Sequence, residues 1–258
     1  MNASNRRIQI FSKLVEDKKV LVNDLAKQFD VTTMTIRRDL MLFEKQGIVS
    51  LIYGGAILNE GAASEPSFQL KNSQSLNAKI SIAYYASKLI QDGDSIFIDC
   101  GSTTLQLGQY LSNKNITVLT NSCVLIDELK KYPKLEIIIC PGIYDRTSEG
   151  AISSTTIDFL NNHHVNKSFI ACQGFNIDKG PSNPNELENR VKSSAIDIAD
   201  EAYLLLDHTK FGVNCTHYLN GTERFKKIIT DEAIDSKTLR KLQEKYPIET
   251  VQIITKQH

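Results

Sequence analysis

Residues 20–57, VLVNDLAKQFDVTTMTIRRDLMLFEKQGIVSLIYGGAI, constrain this chain more than any other stretch. Leu25, Ala26 and Phe29 share one apolar helical face, with Asn23 or Asp24 near its start. Asp30-Val31 makes a short turn, and Thr32 has a side chain suited to cap a second helix. On that helix Ile36, Leu40 and Phe43 recur at i, i+4 and i+7, a single buried stripe. Thr33, Thr35, Arg37 and Arg38 must then project elsewhere, near the helix N-terminus. Gly47 stands where glycine commonly ends a helix. The run from Val49 to Tyr53 suits a strand, and Gly54-Gly55 can turn it back. In this order the parts make a winged helix-turn-helix. A recognition helix reaches base edges from its N-terminal part, where hydroxyls and guanidinium groups hold bases and phosphates. Thr32, Thr33, Thr35, Arg37 and Arg38, with Tyr53, Gly54 and Gly55 on the wing, are the candidate contacts to double-stranded operator DNA. A TxTxRRD run alone is an ordinary solvated helix face; the ordered set carries the reading.

Residues 4–18 place Ile8, Phe11, Leu14 and Val15 at helical spacing, which predicts a first helix packed across the other two. Arg6 and Arg7 at its start can touch a DNA backbone or stay solvated. Net charge is zero over 258 residues, so no global field draws the protein to nucleic acid. Residues 1–58 hold nine Lys and Arg against six Asp and Glu. That modest excess suits sequence-specific binding by a dimer better than indiscriminate coating of DNA.

The length allows a small domain plus one of ordinary size, and 41% hydrophobic content is enough for a packed core. Cys100, Cys123, Cys140, Cys172 and Cys215 are odd in number and widely spaced, with no CxxC or Cys-His cluster. They read as small buried hydrophobes in a reducing compartment. Adjacent His163 and His164 point apart on a helix with no third ligand nearby, so no metal is expected, and no cofactor either. No segment approaches the ~20 continuous apolar residues of a spanning helix, and the N-terminus lacks an apolar signal core. The expectation is a soluble, cytoplasmic protein with no membrane partner.

Residues 59–66, NEGAASEP, are small and polar and end in proline, which marks a linker. The expected division is a DNA-binding domain at 1–58, a linker at 59–76 and an α/β domain at 77–258. Residues 77–91 suit a helix with Ile82, Ala86, Leu89 and Ile90 on one face. Strand-like runs follow at 95–98, 116–119, 135–140 and 167–172, with helical patterns between them. A helix at 188–199 leads to a run at 202–206, and the theme repeats more weakly at 226–230, 236–245 and 250–254. This alternation predicts a mostly parallel sheet with helices on its faces.

In such sheets ligands collect at the carboxyl ends of the strands. After the first strand comes Asp99-Cys100-Gly101-Ser102-Thr103-Thr104, expected to open a helix whose free N–H groups favour a phosphate. After the second come Thr120-Asn121-Ser122, again at a helix start, and after the third Pro141-Gly142. Gln173-Gly174 follows the fourth, and Asp207-His208-Thr209-Lys210 the fifth, where Lys210 supplies a point positive charge. Each set alone has a plain role as cap or turn. Together on one sheet edge they favour a phosphorylated, hydroxyl-rich ligand, a sugar phosphate.

The run Val31-Thr32-Thr33-Met34-Thr35-Ile36-Arg37-Arg38-Asp39-Leu40, followed by Gly54-Gly55-Ala56, resembles the N-terminal domain of the DeoR family of bacterial transcriptional regulators. The second half resembles that family's sensor domain, similar in fold to ribose-5-phosphate isomerase and the CoA transferases. The matching residues there are Asp99, Gly101, Ser102, Thr103 and Thr104, Thr120-Asn121-Ser122, Gly142, Gly174, Glu188 with Lys192, and Asp207 with Lys210. The resemblance implies a repressor whose DNA affinity is changed by a phosphorylated sugar. Three positions depart from the family's pattern: Pro141-Gly142 replaces Gly-Gly, Gln173 stands where an Asp is common, and Glu188-Asn189 replaces Glu-Ala. An amide at 173 still binds sugar hydroxyls but has no proton to shuttle.

Two other readings use the same residues. A sugar-phosphate isomerase needs a carboxylate base, and Asp99, Glu188 and Asp207 are available. Alternatively, the second domain only oligomerises and its strand-end groups are caps and turns. The regulator reading expects a homodimer or homotetramer and no catalysis.

Overall fold

In the computed structural model, which describes residues 3–45, 48–59 and 68–254, the apolar stripe of residues 36, 40 and 43 is buried as its spacing requires. Helices α1 (Ala3–Asp17), α2 (Val22–Phe29) and α3 (Thr33–Lys45) enclose Ile10, Leu14, Leu25, Ile36, Leu40 and Phe43. A short strand, β1 (Lys19–Leu21), precedes α2, and β2 (Val49–Ile52) and β3 (Gly55–Leu58) follow α3. The wing is therefore a three-stranded antiparallel sheet, β1-β3-β2, where the sequence suggested only a hairpin. Asp30 ends α2 in the left-handed conformation, and the Thr35 amide donates to Thr32 Oγ1 at 3.3 Å, the cap expected for α3. Gly47 and residues 60–67 lie outside the described residues.

Within the segment expected as a linker, Phe68–Ser73 forms α4, and its Leu70 joins the core of the first three helices. Phe68 and Leu70 supply apolar surface that the flanking small polar residues do not. The chain divides into two compact units, Met1–Gln74 and Ser75–His258.

The second unit starts with α5 (Leu76–Ser87) and β4 (Ser95–Ile98), then β5 (Thr117–Thr120), α6 (Cys123–Leu129) and β6 (Glu136–Ile139). A two-stranded ribbon of β7 (Tyr144–Asp145) and β8 (Gly150–Ala151) leads into α7 (Ser154–Leu160) and β9 (Val165–Ile170). Then come β10 (Gly174–Asn176), β11 (Gly180–Asn183), α8 (Glu186–Asp197), β12 (Ala199–Leu205) and β13 (His217–Tyr218). The chain closes with β14 (Phe225–Asp231), α9 (Ser236–Gln243) and β15 (Ile248–Val251). The main sheet has seven strands in the order β15-β14-β12-β9-β4-β5-β6, and every neighbouring pair is parallel.

Both faces of this sheet are covered, so its strands are apolar on both sides. Ile96 and Ile98 join Ile82 and Ala86 of α5 and Leu125 of α6 on one face. Phe97 points the other way, into a core with Leu160 of α7, Val191 and Ala195 of α8 and Leu242 of α9. A smaller antiparallel sheet, β10-β11-β13, was not foreseen; its strands are short and rich in Gly, Pro and Asn.

One expectation is corrected here. The segment after β4 does not open an α-helix but a 3₁₀ helix, Thr104–Tyr110. Gly108 inside it is a poor helix residue, and a Cβ there would stand 3.0 Å from the Leu125 side chain. A side chain at this point would need Leu125 and Glu128 of α6 to give way slightly.

Among the described residues no helix is long and apolar enough to cross a membrane, and no group of three or more His, Cys, Asp and Glu could hold a metal ion. His163 Nδ1 sits 2.7 Å from the Phe159 carbonyl and His164 Nε2 2.8 Å from Asp200. Cys100, Cys140 and Cys172 are buried, and burial pushes the last two thiols up to about 12. Cys123 is exposed and Cys215 half-buried, so these two depart from the expected buried role.

Candidate functional site

In the first unit, Thr33, Arg37 and Arg38 are exposed on α3, away from its buried Ile36, Leu40 and Phe43. Thr35 is half-buried and its hydroxyl lies 3.0 Å from that of Thr32, so both hydroxyls are engaged at the helix start. Tyr53 stands fully exposed at the wing tip. Gly54 beside it has φ +75°, a conformation that favours glycine. A Cβ at Gly55 would fall 2.1 Å from the Val20 carbonyl oxygen, so glycine there closes the wing onto β1.

Asp39 does not face solvent with its arginine neighbours. Its carboxylate is buried and accepts from Arg6 Nε and Arg7 Nε, each at 2.7 Å. Arg6, buried, is thereby neither solvated nor free for a DNA backbone, while Arg7 stays 38% exposed; together they pin α1 to α3. Met34 and Met41, exposed on the same helix, are not among the residues the sequence pointed to. Their signal was legible, because neither falls on the 36/40/43 stripe.

In the second unit, the carboxyl ends of β4, β9 and β12 meet around buried charge. Asp99 Oδ2 accepts from Lys192 Nζ at 2.5 Å and from the Ala171 amide at 3.1 Å. Lys192 also lies 3.0 Å from Glu188 Oε1, one turn back on α8. Burial opposes the charge on Lys192, but Asp99 and Glu188 together raise its pKa well above the ordinary lysine value. Asn185 caps α8 by accepting from the Leu187 and Glu188 amides, which fixes where Glu188 and Lys192 point. Gly101 is needed because a Cβ would fall 2.5 Å from that of Ala171.

Beside this cluster, Asp207 Oδ1 accepts from the Thr209 amide at 3.0 Å and from the Thr209 hydroxyl. Asp207 Oδ2 is buried with no hydrogen-bond partner among the described residues; its nearest cation is Lys79 Nζ at 4.0 Å. Lys210 is buried at residue level, and no hydrogen bond or ion pair engages its ammonium among the described residues. His208 donates its amide to Asp231 Oδ2 and sets Nδ1 2.8 Å from Oδ1. The Asp231 hydrogen bond raises the His208 pKa against the opposing effect of burial.

The remaining expected residues divide by what already occupies them. The Thr104 hydroxyl donates to the Asp99 and Gly101 carbonyls, at 2.7 and 2.8 Å. Thr120 Oγ1 donates to the Ile98 carbonyl at 2.6 Å and accepts from the Ser122 amide. Ser122 caps α6 by accepting from Leu125. These three brace the strand ends. Ser102 and Thr103 are buried, and neither hydroxyl finds a partner among the described residues. Asn121 donates to Cys100 Sγ and the Ala151 carbonyl, while its Oδ1 is buried without a partner among the described residues.

Gly142 and Gly174 have packing reasons: a Cβ would fall 2.2 Å from Thr156 Oγ1 and 2.4 Å from the Val213 carbonyl oxygen. Gly142 follows the edge strand β6, at the far side of the sheet from β12. Gln173 is half-buried, and its backbone amide donates to Asn183 Oδ1. Asn183 in turn donates to Asn189, and Asn189 to the His217 carbonyl. Sequence reasoning missed Lys79 and this asparagine pair. Lys79 had a signal, a lysine on the apolar stripe of Ile82, Ala83 and Ala86.

Chemically, the second unit offers carboxylates and amides for hydroxyl groups beside an ammonium with no acceptor among the described residues. The first unit offers a basic helix face and an aromatic wing tip.

A family described as DeoR-like helix-turn-helix domain matches residues 6–62, and one described as DeoR C terminal sensor domain matches residues 74–232. A protein assigned as transcriptional repressor of the aga operon in Escherichia coli O157:H7 is 31% identical over 242 residues, 93% of this chain and 90% of its own. The HTH-type transcriptional regulator IolR of Bacillus subtilis is 32% identical over 84% of this chain and 86% of its own length. The L-fucose operon activator of Haemophilus influenzae is 28% identical over 90% and 93%. Among solved structures, ribose 5-phosphate isomerase A from Methanocaldococcus jannaschii matches 52% of this chain and 53% of its own at 16% identity, with a TM-score of 0.38. With both halves matched in order and relatives alike over nearly its whole length, the chain belongs to the DeoR family of DNA-binding transcriptional regulators.

Proposed function

We propose that this protein represses a sugar-utilisation operon by binding a two-fold operator as a homo-oligomer, and that a phosphorylated sugar bound at the strand ends of the second unit changes that affinity. Repression is the mode the family resemblance implies; the relatives carry names of both signs, a repressor and an activator. The observation that carries the effector reading is the pairing of unmet groups after β12. Among the described residues Asp207 Oδ2 has no hydrogen-bond donor, only the Lys79 ammonium at 4.0 Å, and Lys210 has no acceptor, although both residues are buried. Such groups are costly unless a partner arrives, and a sugar phosphate brings hydroxyl donors and an anion. Asp99, Gly101, Ser102, Thr103, Asn121, Gln173, Glu188 and Lys192 line the reading's remaining positions, with Gly142 and Gly174 shaping the turns.

The effector must bind the DNA-competent and incompetent states with different affinity, or it shifts nothing. Two recognition helices need half-sites ~34 Å apart or a multiple, so altered spacing weakens operator binding. Fluorescence anisotropy tests this with DNA from upstream of the protein's own gene and a panel of sugar phosphates. Release by one phosphorylated compound but not by its unphosphorylated parent is the expected result. Operator binding that no compound relieves would reduce the second unit to an oligomerisation domain.

An isomerase would use Asp99, Glu188 or Asp207 as its base, and the first two share the Lys192 ammonium here. The regulator reading itself needs no catalytic step. Sugar-phosphate interconversion abolished by Asp99→Asn would replace it.

A further inference from the structure

We propose that Met34 is a specificity-determining contact, reading the C5 methyl group of a thymine in the operator's major groove. This rests on the DNA-binding role of α3. The buried residues Ile36, Asp39, Leu40 and Phe43 define the inner face of that helix. With 3.6 residues per turn, Met34 falls opposite them, with Arg37 and Arg38 on either side. It is 56% exposed, and both arginines are exposed with it. It also lies in the first turn of α3, the part of a recognition helix that reaches base edges. Met41, on the same face, is two turns further along and away from that end.

The chemistry separates Met34 from its neighbours. Arginine finds phosphate oxygens and guanine acceptors, and the Thr33 hydroxyl binds either. A thioether chain donates nothing and accepts weakly. The apolar group a base pair displays in the major groove is the thymine methyl. Methionine, unbranched and polarizable, fits such an irregular contact well. Among the described residues Met34 is absent from the apolar core of α1, α2 and α3.

The test uses the full-length protein to enrich a random duplex library. Each thymine of the enriched consensus is then replaced by deoxyuridine, which removes the methyl alone. We expect one thymine in each half-site where deoxyuridine weakens wild-type binding about fourfold, the worth of one buried methyl-sized group. Met34→Ala binds thymine and deoxyuridine alike at that position and keeps its sensitivity elsewhere. Met34→Gln, of similar length, gives the same readout if the alanine variant melts early. Wild-type sensitivity retained by both variants, or a wild type indifferent to every methyl, overturns the proposal. Failure of the wild type to enrich any consensus overturns operator recognition itself, and the proposal with it.

Discussion

Lys192 Nζ lies 2.5 Å from Asp99 Oδ2, across ninety-three positions of sequence, and both residues are almost wholly buried. With Glu188 at 3.0 Å, this one ammonium balances two carboxylates at the end of the interior strand β4. Removing one partner from a buried pair is costly because the other charge stays behind. Lys192→Met should lower the unfolding free energy by about 3–5 kcal/mol. Asp99→Asn should cost less, since Glu188 still pairs the lysine. Urea unfolding of both variants checks the order, and equal losses would contradict it.

Asp39 stands inside the arginine-rich run, but its role is internal. Asp39→Ala strands Arg6, which is buried, and releases Arg7. The expected result is a loss of about 3 kcal/mol or more in the first unit. Hydrogen exchange should show α1 amides losing protection while the seven-stranded sheet keeps its own.

The double variant Arg37→Ala, Arg38→Ala should abolish operator binding at physiological salt with no change in melting temperature, because both side chains are exposed. If both hold phosphates, residual binding at low salt should lose about two from its salt slope per recognition helix. A fall in melting temperature alongside would assign them a structural part instead.

Lys210→Ala should leave operator affinity unchanged and remove the response to the sugar phosphate. Anisotropy with and without the effector separates the two. A surviving response would mean that the phosphate docks elsewhere.

The His208–Asp231 pair makes stability depend on pH from two sides. His208 titrates above its ordinary value of 6.5, so its contribution is full below that value and fades as pH rises through the folded-state pKa. Burial raises the Asp231 pKa, but the His208 hydrogen bonds outweigh it and hold the pKa below the ordinary 3.8. Its contribution is therefore present above that value and lost in stronger acid. His208→Gln should flatten the profile above pH 6.5, by under about 1 kcal/mol for a ring that solvent still reaches. Urea midpoints of the two proteins across pH 5 to 9 would check the sign.

Local periodicity was enough for much of this molecule. The stripe at Ile36, Leu40 and Phe43, the Thr32 cap and the seven main strands could all be read within a few residues of themselves, because helix and strand periods are local properties. Tertiary structure decided which side chains meet. Asp99 finds Lys192, Asp39 takes both Arg6 and Arg7, and Lys79 approaches Asp207 only once strand order and helix docking are set. It also turned the segment after β4 into a 3₁₀ helix by packing Gly108 against α6, and drew α4 onto the helical core through Leu70. Burial of a charge becomes tolerable only beside its partner, and those partners stand far apart in sequence, so no local window holds them.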